Sequence, residues 1–190
     1  MAQISGRSVR GLLRFGKEYG YPGGIPALVA ALPTESQEIL RQPIRTGVWL
    51  PYQVYPDLLR ALTTFDSRAI QAIGHQSLRW DAASILKILS VFSSVDALVT
   101  RGFGAWGRFL WSRHCDGGEV FLSDHAPGTA SMGLRNFPDI DPIHCQLNVE
   151  YLSEMALAVG AEDVQVEQVR CVHRGDEFCE FRGIWKRNTE

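Results

Sequence analysis

The sequence predicts an α+β chain, helical through about residue 110 and sheet-forming after it. Three observations carry that prediction. Apolar residues recur at helical spacing between start and stop signals as far as the segment GAWGRFLW. Past His114-Cys115-Asp116-Gly117-Gly118 the pattern changes to alternation across the turn signal Ala126-Pro127-Gly128, as paired strands require. A long helical segment with both ends marked then leads into a final two-strand pattern.

Taken in order, residues 8–19 form a short amphipathic helix that stops at Gly20, followed by the connector YPGGIP. Thr34-Glu35-Ser36-Gln37 has the spacing of a capping box and predicts a short helix to about Arg41. Pro56 suits the first turn of a helix running to about Phe65, and Asp66 or Ser67 caps the next, with Ile70, Ile73 and Leu78 on one stripe. Further helices start at Asp81 and Ser94. The segments GEVFLSDH and GTASMGLRN read as strands. The helix over about 143–159 has Asp141 at its N-cap, Pro142 at its first position and Gly160 beyond its end. Its buried stripe is Cys145, Val149, Leu152, Ala156 and Val159. The last two strands are predicted to turn about Arg174-Gly175-Asp176, setting Cys171 opposite Cys179 with Val169, Phe181 and Trp185 on the same face. No repeat or linker divides the chain, so residues 1–190 read as one domain, with a mainly helical half over 1–112 and a half over 113–190 holding the strands, the marked helix and the cysteine hairpin.

Composition narrows the function. A chain of 190 residues buries roughly 70% of its unfolded surface and needs no covalent staples. Its 45% hydrophobic and 21% charged residues are ordinary for a globular protein, and a net charge of −2 provides no basic field for nucleic acid. The N-terminus lacks a signal-peptide core, and the most apolar run, ILKILSVFSSVDALV, is too short and too interrupted to span a membrane. A cytoplasmic location follows as the expectation, and there four cysteines stay reduced.

Three of those cysteines converge by this reading. Cys145 comes from a helix's buried stripe and Cys171 and Cys179 from one hairpin face, in the spacing C-x25-C-x7-C. A structural zinc site wants four ligands and only three thiols are supplied, while buried free cysteines also act as small hydrophobes. Other tempting residues have plainer readings. His114-Cys115 and Asp124-His125 read as local polar residues, His75 as a partly exposed or hydrogen-bonded helical side chain, and Arg174-Gly175-Asp176 as a turn. The aromatic residues Trp49, Tyr52, Tyr55, Phe103, Trp106, Phe109 and Trp111 read mainly as core, though a pocket lined by them looks the same in sequence.

The run from Cys145 to Trp185 (helix, Gly160, strand, C-x-x-R-G-D-x-x-C-E-F, strand, terminal Trp) resembles the four-vinyl-reductase domain, which also forms the sensory part of phenol- and xylene-responsive bacterial activators. The N-terminal half, with LLRFGKEYG, WLPYQVYPDLLRAL and GAWGRFLW, is similar to a myxobacterial paralogous family of the superfamily that includes haem nitric-oxide-binding domains and TRAPP vesicle-tethering subunits. The resemblance implies a helical half packed on a C-terminal antiparallel sheet, often a homodimer, around a small hydrophobic pocket. It also implies structural zinc on the positions matched by Cys145, Cys171 and Cys179. The fourth ligand of the aromatic-sensing members is a Glu that here is Gln168, so Glu167, by a register shift, or His173 stands as a substitute. Haem is not expected, because the haem sensors' Tyr-x-Ser-x-Arg clamp is absent from the sequence.

These readings converge on a non-enzymatic, cytoplasmic, bacterial small-molecule-binding sensory or protein-interaction domain of a signalling system. It is expected to be a homodimer, to bind an apolar or aromatic ligand, and to pass its signal to a partner signalling protein. The alternatives are an enzyme or accessory acting on a hydrophobic substrate, in the manner of a vinyl reductase, and a ligand-free dimeric scaffold.

Overall fold

The structure is a computed structural model and describes residues 2–80, 92, 94–137 and 139–186. The helix expected from Asp81 lies outside the described residues.

The chain opens with a short strand, β1 (Gln3–Ser5), that passes directly into α1 (Gly6–Glu18). Ser5 is the N-cap and its hydroxyl accepts from the Ser8 N–H at 3.3 Å. Gly6 allows the connection, because a Cβ there would lie 2.2 Å from the Arg45 carbonyl oxygen. Val9, Leu12 and Phe15 form the buried stripe of α1. β1 pairs antiparallel with β2 (Trp49–Pro51) and β3 (Cys115–Asp116) in a small sheet of order β2-β1-β3. Sequence pattern does not reveal this sheet, since strands of two or three residues carry no alternation to read.

The helical half continues through α2 (Gly24–Ala30), α3 (Thr34–Leu40), α4 (Val54–Phe65) and α5 (Ala69–Trp80). The capping box expected at Thr34 does not form. Pro33 is the N-cap, and the Gln37 amide donates instead to the carbonyls of Ala30 at 3.2 Å and Leu32 at 2.8 Å, tying α3 to the end of α2. α4 is buried on nearly every side, with Val54, Tyr55, Leu58, Leu59 and Leu62 all in the core. Asp66 closes it, accepting from the Arg68 guanidinium at 3.2 and 3.1 Å, the Arg68 N–H at 2.9 Å and the Tyr19 hydroxyl at 2.8 Å, contacts that hold its carboxyl well below the usual range.

Ser94 caps the next stretch as expected, its Oγ accepting from the Ala97 N–H at 3.2 Å. The helix it starts is not uniformly α. After α6 (Val95–Ala97) the backbone runs as a π-helix over Leu98–Gly107 before α7 (Arg108–His114). Gly102, Gly104 and Gly107 weaken the preference for α-helix in this stretch, and π-helical turns are rare outside functional regions.

The larger sheet has the order β4-β5-β7-β6, all antiparallel: β4 (Glu119–Ala126), β5 (Thr129–Arg135), β6 (Glu162–Arg170) and β7 (Cys179–Lys186). Both strands read from the alternation after residue 118 are present. α8 (Pro142–Ala158) lies between this sheet and α5, with Asp141 at its N-cap accepting from the Ile143 N–H at 3.0 Å. Close approach of α5 and α8 depends on Gly74, where a Cβ would lie 2.5 Å from that of Glu150.

The final connection differs from the expected tight turn. The strands end at Arg170 and resume at Cys179, and the eight residues between include a 3-10 turn over Val172–Arg174 and Gly175 at φ 90°. The Asp176 carboxylate accepts from the Cys171 N–H at 2.7 Å and closes this loop. A register shift between Gln168 and Arg170 turns Val169 onto the outer face with Arg170, Phe178 and Glu180, contrary to its expected place beside Cys171. Cys171 itself is buried, as are Cys179, Phe181 and Trp185.

Candidate functional site

α8 organises the interior. His144 and Cys145 are consecutive on its first turn and both fully buried, and further along the helix Leu152, Met155 and Ala156 face a cavity.

His144 looks into the helical half. Its Nδ1 lies 2.9 Å from the Tyr52 hydroxyl and its Nε2 lies 3.1 Å from Nε2 of His114, the last residue of α7. His114 Nδ1 is 2.7 Å from Ser8 Oγ, which is 2.8 Å from Ser5 Oγ. The Tyr52 oxygen also accepts from the Asp141 N–H at 3.0 Å. One direction of donation satisfies the whole chain. Tyr52 already accepts, so it donates to His144 Nδ1; His144 then carries its proton on Nε2 and donates to His114, and His114 donates from Nδ1 to Ser8, which donates to Ser5. Trp111 stacks on the His144 ring at 5.7 Å and Tyr55 meets both imidazoles at about 5 Å. Burial in this aromatic setting keeps both imidazoles neutral: it lowers the His114 pKa to about 4 and that of His144 well below its ordinary value, and the His114 ring further disfavours charge on His144. The plain reading of His114 as a local polar residue is therefore corrected, and His144 gave no signal in sequence beyond its place in the first turn of α8.

Cys145 looks the other way, toward the hairpin. Its thiol donates to Cys179 Sγ at 3.8 Å, which raises the Cys145 pKa. The Cys179 pKa falls to about 6, because the Cys145 thiol, the Val172 N–H, the Cys171 thiol and His173 all favour negative charge on its sulfur. The structure thus gathers the three thiols. Zinc bonds of about 2.3 Å would put two tetrahedral sulfurs about 3.8 Å apart, so this one pair has a compatible spacing. The rest of a zinc site does not follow. Among the described residues no group of three or more His, Cys, Asp or Glu is placed to hold a metal ion. Gln168 does face Cys145, as the resemblance implies, but as an amide that hydrogen-bonds the thiol rather than as a carboxylate ligand. Glu167 lies on the exposed face paired with Arg182 at 2.8 Å, so no register shift brings it inward. His173 donates from Nε2 to the Ile140 carbonyl at 2.5 Å. These residues do not fit zinc.

Between α6 with its π-helical continuation, α8 and the inner face of the sheet lies a cavity of about 70 Å³, walled by Val95, Leu98, Val99, Met155, Phe181 and Trp185 among others. No charged side chain lines it. A second, open groove of about 530 Å³ crosses the outer face of the sheet, where Arg170 packs on Phe178 and reaches Glu180 at 3.3 Å. No described helix is long and apolar enough to cross a membrane.

No family model matches the sequence, and no curated protein matches it, so the four-vinyl-reductase and myxobacterial resemblances rest on their quoted residues alone. Solved structures do match. An H-NOX protein from S. oneidensis in the Fe(II)NO ligation state is 10% identical with a TM-score of 0.72, covering 97% of this chain and 100% of that one. The Fe(II) unliganded H-NOX protein from K. algicida is 8% identical with a TM-score of 0.69, covering 98% and 99%. A third structure, from work on heme distortion in the H-NOX family, is 9% identical with a TM-score of 0.64, covering 98% and 97%.

These haem-binding neighbours weigh against the expectation that excluded haem. The residues of this chain were therefore tested for an axial ligand. All five histidines are described and none lines the cavity: His114, His144 and His173 are hydrogen-bonded as above, His75 pairs with Glu154 at 2.9 Å, and His125 lies 3.7 Å from Asp96. The lining has neither thiol nor phenol, and at about 10–15 Å³ for each water-sized group its 70 Å³ holds on the order of five heavy atoms, far fewer than a porphyrin has. This cavity, as its described residues line it, does not fit a porphyrin. At these identities the likeness is one of fold, and nearly the whole chain shares it: a helical half on an antiparallel sheet, with the architecture of H-NOX proteins.

Proposed function

We propose that this chain is a non-catalytic sensory domain of a signalling system that admits a small, uncharged, apolar molecule to the cavity between α6, α8 and the sheet. The observation that carries this reading is the position of that cavity. Its walls come from three separate elements, so a ligand there bears on the junction of α6 and the π-helix, on α8, and on β5 to β7 together. The H-NOX fold supports a sensing role by analogy, since the neighbours are named for their Fe(II) and NO ligation states. A non-catalytic role is supported by the histidine pair: His144 is fully buried, both imidazoles have both nitrogens engaged, and neither ring borders the cavity. Change at the seam then reaches a partner protein by contact.

Binding to the folded state raises its stability by mass action. Cyclopentane is expected to raise the melting temperature, while butyrate, with a charge that the lining cannot pair, leaves it unchanged. Ala156→Leu, which fills the cavity, should abolish the cyclopentane shift. The reverse ranking, or a shift that survives Ala156→Leu, defeats the proposal. A Soret band in the purified protein would replace the apolar ligand by haem.

A further inference from the structure

The net charge of −2 conceals two halves of opposite sign. Residues 1–112 carry twelve lysines and arginines against seven acidic residues, and residues 113–190 carry seven against fourteen. Part of the basic excess is concentrated on α1. Arg7, Arg10, Arg14 and Lys17 recur at offsets of three, four and three, which puts them on one side of the helix, opposite the stripe of Val9, Leu12 and Phe15 that enters the core, and all four are exposed. At 1.5 Å per residue the row is about 15 Å long. Within it Arg14 pairs with Glu18 at 2.7 Å, a surface ion pair that contributes little and that an incoming carboxylate can displace.

The N-terminal end of the row abuts an exposed apolar pair. β2 pairs with β1 so that Trp49 lies across from Ser5, and the Gly6 N–H donates to the Val48 carbonyl at 2.8 Å. A Cβ on Gly6 would lie 2.2 Å from the Arg45 carbonyl oxygen and 2.9 Å from a Val48 methyl, so this segment sits against the residue that precedes Arg7. Trp49 is 42% and Val48 37% exposed, and Arg45 is exposed as well. Five cations and an indole thus share one surface. Tryptophan and arginine are the side chains that anchor protein interfaces, and a guanidinium fork matches a carboxylate bidentately.

Two other polyanions fit this surface less well. A helix that binds a membrane surface inserts its apolar face, and that of α1 is already committed to the core. Single-stranded nucleic acid is held by aromatic rings spaced along a basic groove, whereas Trp49 lies at one end of the row. We infer that this surface docks an acidic segment of a partner protein, its carboxylates along Arg7, Arg10, Arg14 and Lys17 and an apolar side chain on Trp49. In extended form, at about 3.3 Å per residue, five residues cover the row. The same helix is tied to the interior, because Ser8 Oγ lies 2.7 Å from His114 Nδ1 and His114 meets His144 in the first turn of α8. A shift of α8 therefore bears on the helix that carries the row. The inference gives the sensory domain its partner contact, and it stands on the surface alone, so failure of the cavity as a ligand site leaves it in place.

The test uses the full chain and, as probe, a fluorescein-labelled peptide of six glutamates followed by two leucines, with binding read by fluorescence anisotropy. Binding is expected to weaken as salt rises. Arg10→Glu together with Lys17→Glu should weaken it about tenfold, and Trp49→Ala about fivefold. Arg174→Glu together with Arg182→Glu makes the same change of net charge in the sheet half and should leave binding unchanged. Equal weakening by the two double variants reduces the attraction to net charge and overturns the docking surface. Absence of peptide binding overturns it too, and tighter binding to vesicles of equal parts phosphatidylcholine and phosphatidylserine, or to a single-stranded DNA of six nucleotides, overturns the protein partner. An affinity indifferent to Trp49→Ala removes the apolar contact from the proposal. Should that variant fail to fold, a peptide with serines in place of the leucines decides, because it is expected to bind the wild type about fivefold more weakly.

Discussion

His114 and His144 are thirty positions apart and meet Nε2 to Nε2 at 3.1 Å, joining the end of α7 to the first turn of α8 through a single shared proton. Tyr52 holds one end of this chain and Ser8 the other, so four segments of the fold meet at two neutral imidazoles. A buried network of this kind is stabilising only while every member is paired.

The first expectation concerns pH. In the unfolded chain each imidazole takes up a proton near pH 6.5, whereas in the folded protein burial lowers His114 to about 4 and holds His144 well below its ordinary value. Between those limits the unfolded state binds more protons, so stability falls as the pH falls, by up to about 1.4 kcal/mol per pH unit for each imidazole. The lowered carboxyls of Asp66 and Glu119 add their losses in the acid range where carboxylates protonate, and the lowered Cys179 thiol adds its own between about pH 9 and 6, so the histidines' share is the part of the slope below pH 6.5 that His144→Gln removes. Urea denaturation across this window measures the slope, and His144→Gln should flatten it. Wild-type stability that stays level from pH 7 to pH 5 contradicts the neutral pair.

Tyr52→Phe removes the oxygen that accepts from the Asp141 N–H and donates to His144 Nδ1. Two polar groups are left unpaired around a residue that is 4% exposed, and the expected cost is about 1–3 kcal/mol. The same substitution at Tyr19, whose hydroxyl meets the outer carboxylate of Asp66, should cost less, because water can replace the lost contact. Chemical denaturation of the two variants gives the comparison, and equal losses would deny the Tyr52 hydroxyl its bridging role.

Gly133 pairs with Phe121 across β4 and β5, and a Cβ on it would lie 2.2 Å from the ring. Gly133→Ala therefore forces Phe121 off the strand and off the Arg135 guanidinium that packs over it, with an expected loss of about 1–3 kcal/mol. In a Phe121→Ala background the same change should cost far less, since the steric partner has gone. Additive losses in the double variant would place the strain elsewhere.

Cys171→Ser puts a hydroxyl into a site where the thiol is 6% exposed and packs beside Cys179. The expected cost is about 1–3 kcal/mol. Because the ligand set does not fit zinc, melting of the wild type and the variant should respond identically to chelator. Elemental analysis showing one zinc per chain, together with a melting temperature that chelator lowers in the wild type alone, would restore the metal.

What the sequence determined by itself is what depends on neighbours in the chain. The span of α8 was legible because Asp141, Pro142 and Gly160 act on backbone groups within one turn of themselves. The β4–β5 pair was legible because alternation and the Pro127-Gly128 turn specify the same hairpin. Even the gathering of Cys145, Cys171 and Cys179 followed from a helix stripe and two flanking strands. Tertiary structure decided the rest. The Gln168–Arg170 register shift that reverses Val169 is set by pairing with β7, which no local propensity encodes. Pro33 rather than Thr34 caps α3 because the Gln37 amide finds carbonyls of the preceding turn. His114, His144, Tyr52 and Ser8 come from four distant segments. Whether a polar group finds a partner, and so whether a buried imidazole is neutral, is a property of three-dimensional surroundings, and these form only when the chain has folded.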